Sequence, residues 1–140
     1  MIFVDTSVWV DYLRLAVTPK TAELHYLLAD HPEELVFGDL VAFELYAGLR
    51  SRRERTALER VAGNLFAVEI SGLPAAIAAG DRYATLRRRG ITIRSSVDTL
   101  IASYCIDHNY ELLDADRDFD HFVTHFGLRR YVPPASVGVT

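Results

Sequence analysis

Very short apolar runs alternate with longer stretches of helical spacing, and this alternation restricts the fold more than any other feature of the chain. The strand candidates are Ile2-Phe3-Val4, Leu35-Val36-Phe37, Leu65 to Ile70, Glu111-Leu112-Leu113 and Arg130 to Val132. Between them lie helical stretches from about Val8 to Leu15, Pro19 to His31, Leu40 to Leu49, Arg52 to Ala62, Pro74 to the triple arginine, Thr99 to Ile106 and Asp118 to Phe126. Pro19 and Pro74 suit first helical turns, while Gly63-Asn64, Gly90 and Gly127 are placed as stops. Strands joined by helical crossovers pair in parallel, and a parallel sheet is covered on both faces. The expected architecture is therefore α/β and three-layered, with a central, mostly parallel sheet of about five short strands flanked by helices. A chain of 140 residues, half of them hydrophobic, suits one core. Residues 1–133 are expected to form a single domain, and 134–140 a tail beginning in Pro133-Pro134.

The lone cysteine, Cys105, sits in the apolar run Leu100 to Ile106 and is expected to be inert core in a reducing compartment. Met-Ile-Phe-Val-Asp has no basic region before its apolar residues, and no apolar stretch approaches the roughly 20 residues that span a bilayer. A cytoplasmic protein without a membrane anchor is the expectation. The net charge of −4 argues against coating nucleic acid by bulk attraction. The average conceals clusters: arginines at 50, 52, 53, 55 and 60 and at 87 to 89, and six acids between Asp107 and Asp120.

Ligands of an open parallel sheet bind beyond the carboxyl ends of its strands. Asp5 follows the first strand candidate and Asp116 follows the strand at Leu112-Leu113. Glu44 lies inside the apolar stretch Leu40 to Leu49, and Asp98 stands just before, or opens, the apolar helix Thr99 to Ile106. Each has an ordinary reading. Asp5 and Asp98 suit helix caps, Glu44 suits the wet side of an amphipathic helix, and Asp114, Asp116, Asp118 and Asp120 suit a solvated turn. Their joint placement, at two strand ends and in two apolar helices, favours convergence. Converging carboxylates repel and take up protons unless a cation neutralises them. Oxygen ligands with room for water suit Mg2+ or Mn2+, which polarise phosphoryl oxygens and acidify water for attack on phosphorus.

Taken in order, these segments resemble the PIN domain and, more narrowly, the VapC family of toxins. Phe-Val-Asp5-Thr6-Ser7-Val-Trp resembles the family's opening, and Glu44-Leu45-Tyr46-Ala47-Gly48 its central Glu with Gly four residues on. Ser96-Val97-Asp98-Thr99-Leu100-Ile101-Ala102 resembles the helix opened by the third acid, and Leu112-Leu113-Asp114-Ala115-Asp116-Arg117-Asp118-Phe119 the closing motif. The resemblance implies an Mg2+- or Mn2+-dependent endoribonuclease with Asp5, Glu44, Asp98 and Asp116 on the metal and Ser7 and Asp118 in support. It further implies a cognate VapB-like antitoxin, a homodimer and a toxin–antitoxin hetero-oligomer. Asp114 departs from the pattern, since Thr or Ser often stands two positions before the fourth acid. The division of labour among Asp114, Asp116 and Asp118 therefore stays open.

His121 and His125 have zinc-pair spacing but lack the glutamate of a zinc-protease motif, and an ordinary helix face is the expectation. Arg50, Arg52, Arg53, Arg87 and Arg88 are candidates for RNA phosphate contacts, against a solvated face with pairs such as Arg55–Glu59. Trp9, Tyr12 and Phe43 are expected in the core or at a dimer contact, although an exposed aromatic could stack on an unpaired base. Haloacid-dehalogenase-like phosphatases and response-regulator receivers also place Asp after strand one, but both rely on a late lysine, and Lys20 is this chain's only one. A flap-endonuclease-like enzyme needs a larger DNA-gripping apparatus. The remaining rival is a non-catalytic PIN-fold module that binds RNA or a partner, against which an intact acid set speaks.

Overall fold

The computed structural model describes residues 1–134. In chain order it comprises β1 (Ile2–Val4), α1 (Thr6–Leu13), α2 (Pro19–Asp30), β2 (Leu35–Gly38), α3 (Asp39–Ala47), α4 (Arg52–Ala62), β3 (Phe66–Val68), α5 (Leu73–Arg88), α6 (Ser96–His108), β4 (Glu111–Leu113), α7 (Asp120–Phe126) and β5 (Arg129–Arg130). Short 3-10 turns occupy Pro32–Glu34 and Arg117–Phe119. The five strands are ordered β3-β2-β1-β4-β5, and every pairing is parallel among the described residues. The expected α/β fold is present, with a sheet parallel throughout where a mostly parallel one was anticipated.

β1 and β2 are buried at every residue, which explains why they read as unbroken apolar runs rather than as alternating ones. From β1 the chain winds outward through β2 and β3, then returns to the opposite side of β1 as β4 and β5. Strand order thus reverses between β1 and β4, the place where open parallel sheets form a crevice at their carboxyl ends. The register pairs Val4 with Leu113, and the Asp5 amide donates to the Leu113 carbonyl at 2.9 Å. Asp5 and Asp114 therefore leave the sheet side by side.

Trp9 is fully buried, edge-on to Phe37 at 5.6 Å, and Cys105 is buried too, both as expected. Phe43, by contrast, is 70% exposed, because Val41 and Leu45 are the α3 side chains turned into the core. Phe3 packs over Gly38, where β2 gives way to α3: a Cβ there would sit 2.7 Å from the Phe3 ring. Arg82 of α5 fastens that helix to α6, donating to Ser103 Oγ at 2.5 Å and to the Asp107 carboxylate at 2.8 Å.

Several boundaries move for local reasons. α1 starts at Thr6 because Asp5 itself is the cap, and α6 starts at Ser96 because Ser95 caps it. The last strand is Arg129–Arg130 rather than 130–132. Beyond Pro134 the expected tail lies outside the described residues. Among the described residues no helix is long and apolar enough to cross a membrane.

Candidate active site

Asp5 is 3% exposed and caps α1, its Oδ2 accepting from the Ser7 amide at 3.0 Å and from Ser7 Oγ at 2.5 Å. The cap and site readings of this residue therefore coexist. Its Oδ1 is buried without a hydrogen-bond partner. Burial pushes its pKa up to about 6, outweighing the Ser7 bonds, and the charge of Asp114 adds to the rise. Ser7 Oγ also accepts from the Ala115 amide at 3.0 Å, tying the exit of β4 to the exit of β1.

Glu44 sits in the second turn of α3, half-buried, and Thr6 Oγ1 donates to its Oε1 at 2.6 Å. This bond joins α3 to α1. Asp98 is not the cap of α6. It lies in the first turn, and its amide donates to Ser95 Oγ at 3.3 Å. A helix N-terminus by itself favours the charged carboxylate. Yet the Asp98 pKa is pushed up to about 7, first by burial and then by the charges of Asp5, Asp116, Glu44 and Asp118. All four neighbours act on one carboxyl, which is electrostatic evidence of crowding.

Asp116 caps the 3-10 turn after β4, its Oδ1 accepting from the Asp118 amide at 2.9 Å. Asp98, Asp116 and Asp118 each offer a carboxylate oxygen, and these oxygens lie within 4.8 Å of one another. Asp5 and Glu44 border this trio without belonging to it at that distance.

Asp114 serves elsewhere. It is 4% exposed and receives Arg130 through Nε to Oδ2 at 3.0 Å and Nη2 to Oδ1 at 3.2 Å, while the Asp116 amide donates to Oδ1 at 3.1 Å. Burial still raises its pKa against the pull of Arg130. Arg130 also bonds Asp120 and the Asp116 carbonyl, and Lys20 donates to the Asp114 carbonyl. The side chain that departs from the family pattern is thus the centre of an ion-paired knot.

Arg50 and Arg53 surround the carboxylate of Glu54, and Arg53 donates to the Leu13 carbonyl at 2.9 Å. Arg52 is exposed, and Arg87 and Arg88 occupy the last turn of α5, where Arg88 bonds Thr85 at 3.1 Å. Arg55 pairs with Glu59 at 3.0 Å, as a solvated helix face would. None of the five candidate RNA-binding arginines is ion-paired to the acidic trio among the described residues. His125 faces Arg89 at 2.7 Å and, among the described residues, joins no metal-like group with His121. Sequence reasoning missed Thr6, Arg94, Lys20 and Arg130 as partners of the acids. Only Thr6, a hydroxyl directly after Asp5, carried a local signal.

Residues 2–123 match the PIN domain family. Ribonuclease VapC11 of Mycobacterium tuberculosis and VapC ribonuclease Mb1587 of Mycobacterium bovis are each 32% identical over 120 residues, covering 86% of this chain and 90% of the relative. The chain belongs to the PIN-domain family, in its VapC branch. The PIN fold is matched by VapBC2 from Rickettsia felis, solved bound to a promoter DNA fragment, at a TM-score of 0.74 and 19% identity over 94% of this chain and 98% of that one. FitAcB from Neisseria gonorrhoeae superposes with a TM-score of 0.68 at 20% identity over 95% and 98% of the two chains. A toxin–antitoxin complex from Klebsiella pneumoniae gives 0.59 at 16% identity over 95% and 98%.

Proposed function

We propose that this VapC-type PIN domain, residues 1–133, is an Mg2+- or Mn2+-dependent endoribonuclease and the toxin of a toxin–antitoxin pair. The observation that carries the reading is the crowding around Asp98, where Asp116 and Asp118 each offer a carboxylate oxygen within 4.8 Å of its own. The donor set fits a hard cation. It is all oxygen, its charges are mutually repelling, and Asp5 Oδ1 is buried with nothing to pair it. Asp5, Glu44, Asp98 and Asp116 would hold the ion directly or through water, with Asp118 beside them. When bound, such an ion supplies Lewis acidity toward a phosphodiester and acidifies water.

The chain's own residues fix the donors. Ser7 holds Asp5 and the Ala115 backbone, Thr6 holds Glu44, and Ser95 sets the turn that presents Asp98. The Asp114–Arg130 pair anchors the loop that carries Asp116 and Asp118. Arg50, Arg52, Arg53, Arg87 and Arg88 supply exposed charge for RNA phosphates away from the acids. A VapB-like antitoxin is supported by the toxin–antitoxin complexes that share the fold, and a homodimer, a toxin–antitoxin hetero-oligomer and a cytoplasmic setting complete the proposal.

The test is cleavage of a structured RNA pool by protein freed of antitoxin, in Mg2+, Mn2+ or EDTA, for wild type, Asp5→Asn and Asp98→Asn. The expected result is cation-dependent cleavage that falls roughly a hundredfold or more in both variants. Cleavage that survives EDTA and both substitutions would overturn the metal-site reading.

A further inference from the structure

Among the described residues, one cation is ion-paired to the acidic trio. Arg94, in the segment between α5 and α6, places Nε 3.3 Å from Asp118 Oδ2. Its side chain is 84% exposed, and neither terminal nitrogen has a protein partner among the described residues. Of the other cations nearby, Arg130 is committed to Asp114, Asp120 and the Asp116 carbonyl and Lys20 to the Asp114 carbonyl, while Arg117, between Asp116 and Asp118 in the 3-10 turn, is exposed and ion-paired to none of the trio among the described residues. Arg94 also directly precedes Ser95, the cap that sets the first turn carrying Asp98, which places it at the edge of the acids.

We infer that Arg94 is a substrate-contacting residue, resting on Asp118 in the free protein and gripping the RNA phosphate that reaches the acidic trio. The inference rests on the nuclease reading above. The pair is open on the arginine side, 84% exposed against 19% for Asp118, so solvent screens it and Arg94 can exchange Asp118 for a phosphate, leaving Asp118 to the cation. A guanidinium matches two phosphate oxygens at once, and the two free nitrogens of Arg94 are the ones such a fork requires. The location also meets an electrostatic need. A phosphodiester entering a ring of carboxylates is repelled except where positive charge meets it, and Arg94 adds fixed positive charge at the edge of that ring.

The experiment compares wild type, Arg94→Ala, Arg94→Lys and Arg129→Ala, the last removing an arginine at the amino-terminal edge of the sheet opposite Glu111. It measures kcat/KM for RNA cleavage, Mn2+ affinity by calorimetry, and the salt dependence of binding of a fluorescent single-stranded RNA pool in Ca2+, with intact RNA verified. Arg94→Ala should lower kcat/KM about 10- to 100-fold, with partial recovery in Arg94→Lys. It should retain Mn2+ binding and flatten the log–log salt slope by about 0.7, the loss of one single-strand phosphate contact. Arg129→Ala should match wild type. A wild-type slope and kcat/KM in Arg94→Ala, an equal loss in Arg129→Ala, or weakened Mn2+ binding in Arg94→Ala would overturn the inference while leaving the nuclease reading in place. A wild type without cation-dependent cleavage would overturn both.

Discussion

Replacing Asp5 with Asn separates a carboxylate kept for function from one kept for stability. Asp5 is 3% exposed and its pKa rises from 3.8 to about 6, chiefly through burial. The native state therefore holds this proton more tightly than the unfolded chain does. As pH rises from about 4 to about 6 the unfolded state ionises first, and the metal-free protein loses stability, with the full penalty present above that window. Two pKa units at 1.36 kcal/mol each put the penalty near 3 kcal/mol. Asn retains a carbonyl oxygen for the two Ser7 bonds but leaves an amide donor where Oδ1 has no partner, which returns about 1–2 kcal/mol of the gain. The net expectation for Asp5→Asn in EDTA near pH 8 is about 1–2 kcal/mol of added stability, or roughly 3–8 °C in Tm for a domain of this size. Circular dichroism melts read it directly. Near pH 4, where the ionisation penalty falls to about 0.5 kcal/mol, the amide cost should leave the variant slightly less stable than wild type, and near pH 8 Mn2+ should reverse the order by stabilising wild type alone. A variant less stable than wild type by the same margin at both pH values, with an unchanged Mn2+ increment, would refute the reasoning and leave Asp5 as a cap only.

Arg130→Met should destabilise the fold by about 2–4 kcal/mol in chemical denaturation, because it leaves Asp114 buried and uncompensated, and Asp114→Asn added to it should recover most of the loss. Thr6→Val should cost about 1 kcal/mol or less in stability while lowering kcat for RNA cleavage about tenfold, since it releases Glu44 from α1. Gly38→Ala should cost about 1–3 kcal/mol by thermal melt through the clash with the fully buried Phe3 ring, and Phe3→Leu in the same chain should relieve part of it.

The parts of this fold that sequence reveals are those governed by neighbours in the chain. The alternation of short apolar runs and helical stretches gave the order of elements and the parallel sheet, and Asp5 and Asp116 were already placed beyond strand ends. Contacts between distant positions stayed hidden. Nothing near Asp114 announces that Arg130, 16 residues on, takes its charge, so Asp114, Asp116 and Asp118 read alike as one acidic turn. The same holds for Thr6 with Glu44, 38 residues apart, and for Arg94 with Asp118, 24 apart. Whether Asp98 precedes its helix or opens it is not legible locally, because Ser95, the residue that caps, lies three positions upstream of it. Phe43 is not in the core, because the 3.6-residue period turns it outward while Val41 and Leu45 turn in, and its apolar neighbours in sequence do not show this.

The central claim is that the acids gather one divalent-cation site from which Asp114 is withdrawn by Arg130. A Mn2+ titration followed by electron paramagnetic resonance tests it most directly, using wild type, Asp98→Asn, Asp116→Asn and Asp114→Asn. The account predicts saturable binding in wild type and Asp114→Asn, and its loss in Asp98→Asn and Asp116→Asn. Binding that survives the loss of Asp98 and Asp116 but disappears with Asp114 would contradict it.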